Sequence, residues 1–205
     1  MPKVERREGL SLNCILYNSA RLLPRMLDSV KDVVDEIVAV VDARTNDDTV
    51  DVLKRYGAKV LIRPFPGSFA ELRNQAIDAS SGEWILVLDD DEWLEDKARL
   101  EIRRLIEARD VDGYRFNRFN FHAPDVWPDR QLRLFKYYGR WKYRVHEVVV
   151  GLKNVKAVDL TIYHDPRGRP ADYFKHKEAL YRKLWDLDVK EGLRHAPYPS
   201  DYKGR

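Results

Sequence analysis

Four consecutive acids, Asp89-Asp90-Asp91-Glu92, follow directly on the apolar run WILVL at 84–88. Carboxylates crowded this closely repel one another, and hard oxygen ligands of that kind are neutralised by Mn2+ or Mg2+ shared with substrate phosphates. A solvated acidic turn leading into a helix at Asp96 is the plainer alternative. Asp42 closes a second apolar run, EIVAVVD, so two strand-like segments end in carboxylates. In an open α/β sheet, ligands bind beyond the carboxyl ends of the strands, which is where both would lie. His122 and His176 match no such pattern.

These acids need a scaffold, and the chain alternates to supply one. Leu10 to Tyr17 reads as a buried strand. Leu22, Leu23, Met26, Leu27, Val30, Val33 and Val34 form one apolar helical face of about four turns, with Pro24 in its first turn. Glu36 to Asp42 is a second strand, and Asp47 or Asp48 caps a helix that Gly57 ends. Lys59 to Ile62, a helix in FAELRNQAIDAS and the strand Trp84 to Leu88 complete a β-α-β-α-β-α-β order. Continuous apolar strands alternating with helices predict a parallel sheet covered on both faces. From Gly113 the texture changes to alternating YRFNRFNF, a loop with Pro124, Trp127 and Pro128, then QLRLF and VHEVVV, which predict antiparallel strands. Ala171 to Lys190 has helical periodicity.

The 205 residues make one domain of ordinary size, 35% charged, with no run long enough to span a membrane and no secretory leader. Cys14 is the only cysteine, which excludes an internal disulfide and a thiolate zinc cage and predicts a cytoplasmic setting. The net charge of +3 hides an asymmetry: 17 Lys and Arg face 23 Asp and Glu over residues 1–113, against 20 and 11 over 114–205. Arg115, Arg118, Arg130, Arg133, Lys136, Arg140, Lys142 and Arg144 suit an acidic acceptor or peripheral contact with an anionic membrane. The acidic first half argues against a nucleic-acid groove.

The segments SLNCILYN, VVDARTNDDTVDVLKRYGAKV and FAELRNQAIDASSGEWILVLDDDEW, in this order, resemble the nucleotide-binding half of family-two inverting glycosyltransferases of the GT-A fold. RLFKYYGRWKYRVHEVV followed by IYHDP resembles the acceptor half of the branch containing lipopolysaccharide-core glucosyltransferases. The resemblance implies a single GT-A domain: residues 10–95 hold a nucleotide-sugar, residues 113–165 face the acceptor, and 166–205 form a C-terminal helix and tail. It places Tyr17 and Asn18 beside the base, Asp42 at the base-binding aspartate, and Arg73, with Asn74, against base or phosphate. Asp89 approaches ribose or metal, and Asp91 binds the metal bridging both phosphates. Asp90, at a position that is usually small, departs from the family pattern and adds charge beside the nucleotide. His164 stands where related enzymes complete the metal shell; a structural histidine is the alternative.

The implied reaction moves a sugar from a nucleotide diphosphate, UDP by family habit with GDP and dTDP open, onto a hydroxyl of a glycan, glycolipid or glycoprotein. Inversion in one displacement needs a base on the opposite face. The family's usual Glu-Asp pair has no clear copy, so Glu147 in Val145-His146-Glu147 takes that role, or only orders the acceptor loop; Asp125 and Asp129 are its rivals. A sugar-phosphate nucleotidyltransferase lacks its glycine-rich loop here, and a non-catalytic sugar-binding module remains open.

Overall fold

A computed structural model describes residue 5, residues 7–169, residues 173–195 and residue 198. Four strands, β1 (Arg7–Leu16), β2 (Glu36–Asp42), β3 (Lys59–Arg63) and β4 (Gly82–Val87), pair in parallel in the order β3-β2-β1-β4. Alternation of side chains across these strands feeds two cores. Leu10, Leu12, Cys14, Leu16, Ile37, Ala39, Val41, Trp84 and Leu86 pack against α1 (Leu23–Asp28), α2 (Thr49–Arg55) and α4 (Asp96–Leu105). On the opposite face, Val38 and Val40 meet α3 (Phe69–Ala79), and Ile85 and Val87 meet Phe135 and Trp141. The doubly covered parallel sheet expected from the apolar strands is present.

The sheet continues through β7 (Asp129–Lys136), β6 (Gly113–Asn120), β10 (Val155–His164) and β5 (Glu92–Leu94), giving eight strands ordered β3-β2-β1-β4-β7-β6-β10-β5. β7 is antiparallel to both β4 and β6, and β5 to β10, as the changed texture suggests. β10 instead runs parallel to β6. A short antiparallel pair, β8 (Arg140–Lys142) and β9 (Val148–Val150), stands apart.

The first helix is shorter than its apolar face predicts. It spans six residues, and Ser29 turns its hydroxyl back onto the Met26 carbonyl at 2.7 Å while Val30, Val33 and Val34 continue in looser turns. Asp47, not Asp48, satisfies the start of α2, accepting from the Thr49 amide at 3.1 Å. Gly57, at φ +68°, ends that helix in a conformation that penalises any Cβ. The last helix, α5 (Tyr173–Lys190), packs Leu184 and Trp185 against Val145; Ala171 and Asp172, read from sequence as its start, lie outside the described residues.

Candidate active site

β4 leaves the sheet at Val87, and the chain must cross to β5 at the far edge, so the acids between them lie over the carboxyl ends of the parallel strands. Glu92 closes this turn, its carboxylate accepting from the Asp89 amide at 3.2 Å. It is fully buried, with Arg133 at 2.6 Å and Arg118 at 3.5 Å. Two guanidinium groups offset the cost of burying that charge. Glu92 thus shapes the turn, while the three aspartates point elsewhere.

Asp89 faces Arg73 Nη2 at 2.9 Å and Arg133 Nη2 at 3.6 Å. Burial opposes its ionisation, but these cations overcome that and hold its carboxyl far below the usual carboxylate range. Arg73 is bidirectional: its Nε donates to Glu147 Oε1 at 2.9 Å, so one guanidinium joins the acidic turn to the VHE element. The neighbouring Asn74 is structural, exchanging two hydrogen bonds with the Trp141 backbone, each 2.9 Å.

Asp91 and His164 meet because β10 pairs with β5 and the Asp165 amide donates to the Asp91 carbonyl at 2.9 Å. His164 Nε2 lies 3.6 Å from Asp91 Oδ1. On its other side, Nδ1 is 2.7 Å from Asn120 Oδ1, while the Asn120 amide nitrogen donates to Asp129 Oδ2 at 3.2 Å. Asp129, ionised beside Arg118 at 2.6 Å, only accepts. The amide oxygen therefore faces the ring, Nδ1 carries the hydrogen, and the Nε2 lone pair is left facing a carboxylate.

Two acceptors turned toward each other ask for a cation between them. A carboxylate oxygen and an imidazole whose second nitrogen is held by an oxygen acceptor form a donor pair that would suit Mn2+ or Mg2+. Asp89 is not part of that pair; Arg73 and Arg133 hold it to the other side. Among the described residues no three His, Cys, Asp or Glu side chains converge as a metal cage. Asp90, in turn, accepts from Arg169, which also reaches Asp91 Oδ2 at 3.1 Å.

Asn18, at φ +48°, accepts from the Asn46 amide at 2.9 Å. Asp42, nearly buried, is held by Arg44 through Nε at 3.0 Å and Nη2 at 2.6 Å, and that guanidinium lies 5.4 Å from the half-exposed Tyr17 ring. Tyr17, Asn18 and Asp42 thus gather at one end of the sheet with Arg44, which the sequence did not single out.

Sequence reasoning also missed Arg169, Asn120 and Lys177, and read Arg133 only as part of the basic cluster, whereas it holds Glu92 and Asp89. Lys177 sits on α5 between the rings of Tyr173 and Tyr181, at 5.6 and 5.3 Å, and burial is outweighed by these rings and by Asp91 and Asp89, raising its pKa. The four-residue spacing of Tyr173, Lys177 and Tyr181 was a legible signal for one helix face. Asp129, a rival for the base, is spent on Arg118, Asn120 and Gln131. Burial pushes the Cys14 thiol up, with Asp90 and Asp89 adding to it, so Cys14 is no nucleophile at neutral pH.

The basic cluster shrinks on folding. Arg118, Arg133, Lys136, Arg140 and Arg144 pair with Asp129, Glu92, Glu83, Asp78 and Asp188 respectively. Arg115, Arg130 and Lys142 remain exposed, with no ion pair among the described residues.

The glycosyl transferase family 2 model matches residues 14–153. A TPR repeat-containing protein of Synechococcus elongatus is 40% identical over 127 residues, covering 62% of this chain and 31% of that protein. The SPbeta prophage-derived glycosyltransferase SunS of Bacillus subtilis is 28% identical over 174 residues, covering 78% and 41%. The chain therefore spans well under half the length of these relatives. Among solved structures, glucosyl-3-phosphoglycerate synthase from Mycobacterium tuberculosis, in complex with Mn2+, UDP and glucosyl-3-phosphoglycerate, superposes with a TM-score of 0.62 at 16% identity, covering 92% of this chain and 82% of that one. At that identity the likeness is one of fold, and the fold is GT-A. With the ordered strand-end acids, the sheet that carries them and a match across 14–153, the chain belongs to glycosyl transferase family 2.

Proposed function

We propose that this chain is the catalytic domain of a metal-dependent inverting glycosyltransferase that draws on a UDP-linked sugar, with residues 10–95 holding the donor and 113–165 facing the acceptor. The observation that carries the reading is the His164 Nε2 lone pair, oriented through Asn120 and Asp129 toward Asp91, beside the Arg73 bridge from Asp89 to Glu147. A fold neighbour solved with Mn2+ and UDP supports the choice of ion and nucleotide.

In this reading Asp91 and His164 hold the divalent ion, which supplies positive charge to the departing diphosphate. Tyr17 and Asn18 flank the base, and Asp42 reaches it from the end of β2 with Arg44 alongside. Asp89 faces the ribose, kept ionised by Arg73, and Asp90 lies behind it. Glu147 takes the proton of the acceptor hydroxyl as that oxygen attacks the anomeric carbon and the carbon–phosphate oxygen bond breaks. Arg73 holds Glu147 in place for this. The exposed Arg115, Arg130 and Lys142 support an anionic glycan or lipid-linked acceptor, and the resemblance of the two motifs within 133–166 to the lipopolysaccharide-core branch points the same way. Among the described residues, no helix is long and apolar enough to cross a membrane, so contact with an anionic bilayer through this domain's helices would be peripheral.

The test is thermal stabilisation by UDP, GDP and dTDP, each with Mn2+ and with chelator, in the wild type and Asp91→Asn. A ligand at a hundred times its dissociation constant stabilises by about 2.7 kcal/mol. A Mn2+-dependent shift with UDP that Asp91→Asn abolishes is expected; equal shifts in chelator would overturn the metal dependence.

A further inference from the structure

Arg169, like Arg133 with Glu92 and Asp89, applies a single nitrogen to two carboxylates. Arg118 grips Asp129 through Nε and Nη2, and Arg103 grips Asp35 through both Nη atoms, each a two-pronged pair with a single carboxylate. Arg169 instead applies one nitrogen, Nη2, to two carboxylates at once, Asp90 Oδ1 and Asp91 Oδ2. Its side chain is 9% exposed. Among the described residues its Nε has no hydrogen-bond partner, and neither has Asp90 Oδ2. The pairing is charge-compensating but leaves polar capacity unused on both sides.

The carboxylate that Arg169 takes is also the one facing His164. Asp91 gives Oδ2 to Arg169 and turns Oδ1 to His164 Nε2, so a cation entering on the His164 side shares one carboxylate with the guanidinium. Two positive charges on one carboxylate repel. The segment that carries Arg169 leaves β10 through Gly168, at φ +107°, where Arg21 Nη1 reaches the carbonyl at a long 3.4 Å; the Arg169 amide donates to the Pro166 carbonyl at 3.3 Å, and its guanidinium also lies over the Tyr173 ring at 4.7 Å.

We infer that Arg169 is a resident counter-ion of Asp90 and Asp91 that makes divalent-ion binding conditional on the donor diphosphate. Without nucleotide, Arg169 neutralises the two acids and weakens their hold on an ion. A diphosphate offers the guanidinium oxygens of higher charge, draws it off Asp91, and frees that carboxylate. Ion and nucleotide then favour each other by the same factor in either order. Arg169 is a positioning residue of the proposed reaction, and the inference rests on the metal-dependent reading above.

The test is direct titration of Mn2+ followed by the electron paramagnetic resonance of the free ion, with no sugar transfer involved. Wild type, Arg169→Ala, Arg169→Gln, Arg169→Lys and Asp91→Asn are compared without nucleotide and with UDP. If Arg169 covers the acids about nine-tenths of the time, its removal tightens Mn2+ binding about tenfold. Arg169→Ala and Arg169→Gln are expected to bind Mn2+ about tenfold more tightly than wild type without UDP, and to gain less from UDP. Arg169→Lys, which keeps the charge, should stay near wild type. A merely structural role for Arg169 would leave Mn2+ affinity equal or lower in both neutral variants, and that result overturns the inference while Asp91-dependent binding keeps the proposed function standing. Should Arg169→Ala fail to fold, Arg169→Gln carries the same comparison. Absence of Asp91-dependent Mn2+ binding in every protein, with and without UDP, would remove both.

Discussion

Arg73 Nε lies 2.9 Å from Glu147 Oε1 although the two residues are 74 positions apart in the chain. The same guanidinium holds Asp89, so the acidic turn after β4 and the VHE element share one cation. Glu147→Gln keeps the shape and a hydrogen bond to Arg73 but removes the proton acceptor. Turnover should fall about a hundredfold with UDP affinity preserved. A loss below threefold in steady-state kinetics would transfer the role to another group.

The orientation of His164 depends on a relay that begins two strands away. Asn120→Ala removes the acceptor that fixes Nδ1–H, and Asp129→Asn releases the Asn120 amide. Each should weaken Mn2+ binding by about 10–100-fold with UDP present. Calorimetric titration of the ion measures this, and unchanged affinity in both variants would show that His164 is no ligand.

Glu92 has no role at the ion in this arrangement and a large one in stability. Glu92→Ala leaves Arg133 buried without its 2.6 Å partner. Breaking a buried pair in this way costs about 3–5 kcal/mol. Urea denaturation should show a loss of that order, and a loss below 1 kcal/mol would place Glu92 among the ligands after all.

His146 gives the fold an acid sensitivity. Burial, then Arg194 and Lys177, lower its pKa to about 4, below the unfolded value of 6.5. The folded state therefore resists its protonation, and stability falls as pH drops from 6.5 towards 4, where the unfolded chain binds the extra proton. The slope from this residue is bounded at about 1.4 kcal/mol per pH unit. Denaturation midpoints of wild type and His146→Gln across that window should converge at low pH; parallel curves would assign the acid loss elsewhere.

The sequence made the parallel half of the sheet readable because its strands are buried on both faces and stay apolar throughout, as in Val38 to Val41. It concealed what depends on pairing between distant segments. Nothing local in VDLTIYH says that β10 lies parallel to β6, so Asn120 beside His164 was invisible. Glu92 read as one acid among four because neighbours in sequence look alike, whereas the pleat of β5 turns it inward with Leu94. The apolar face after Leu22 overstated α1, since Ser29 competes for the helix backbone. Arg169 and Lys177 escaped because a cation's partner is set by tertiary approach, and five of the eight clustered cations proved to be internal for the same reason.

The antiparallel register of β7 against β4, Ile85 facing Phe135 and Leu86 facing Leu134, runs through the middle of the eight-stranded sheet. The segments proposed to hold the nucleotide and to face the acceptor are thus stitched along a shared seam instead of meeting as separable modules. A chimaera that imports a relative's acceptor segment inherits an obligation to match that seam rung by rung. Changing acceptor preference by recombination is therefore a problem of strand compatibility first, and exchanges confined to the loop at 121–128 avoid it.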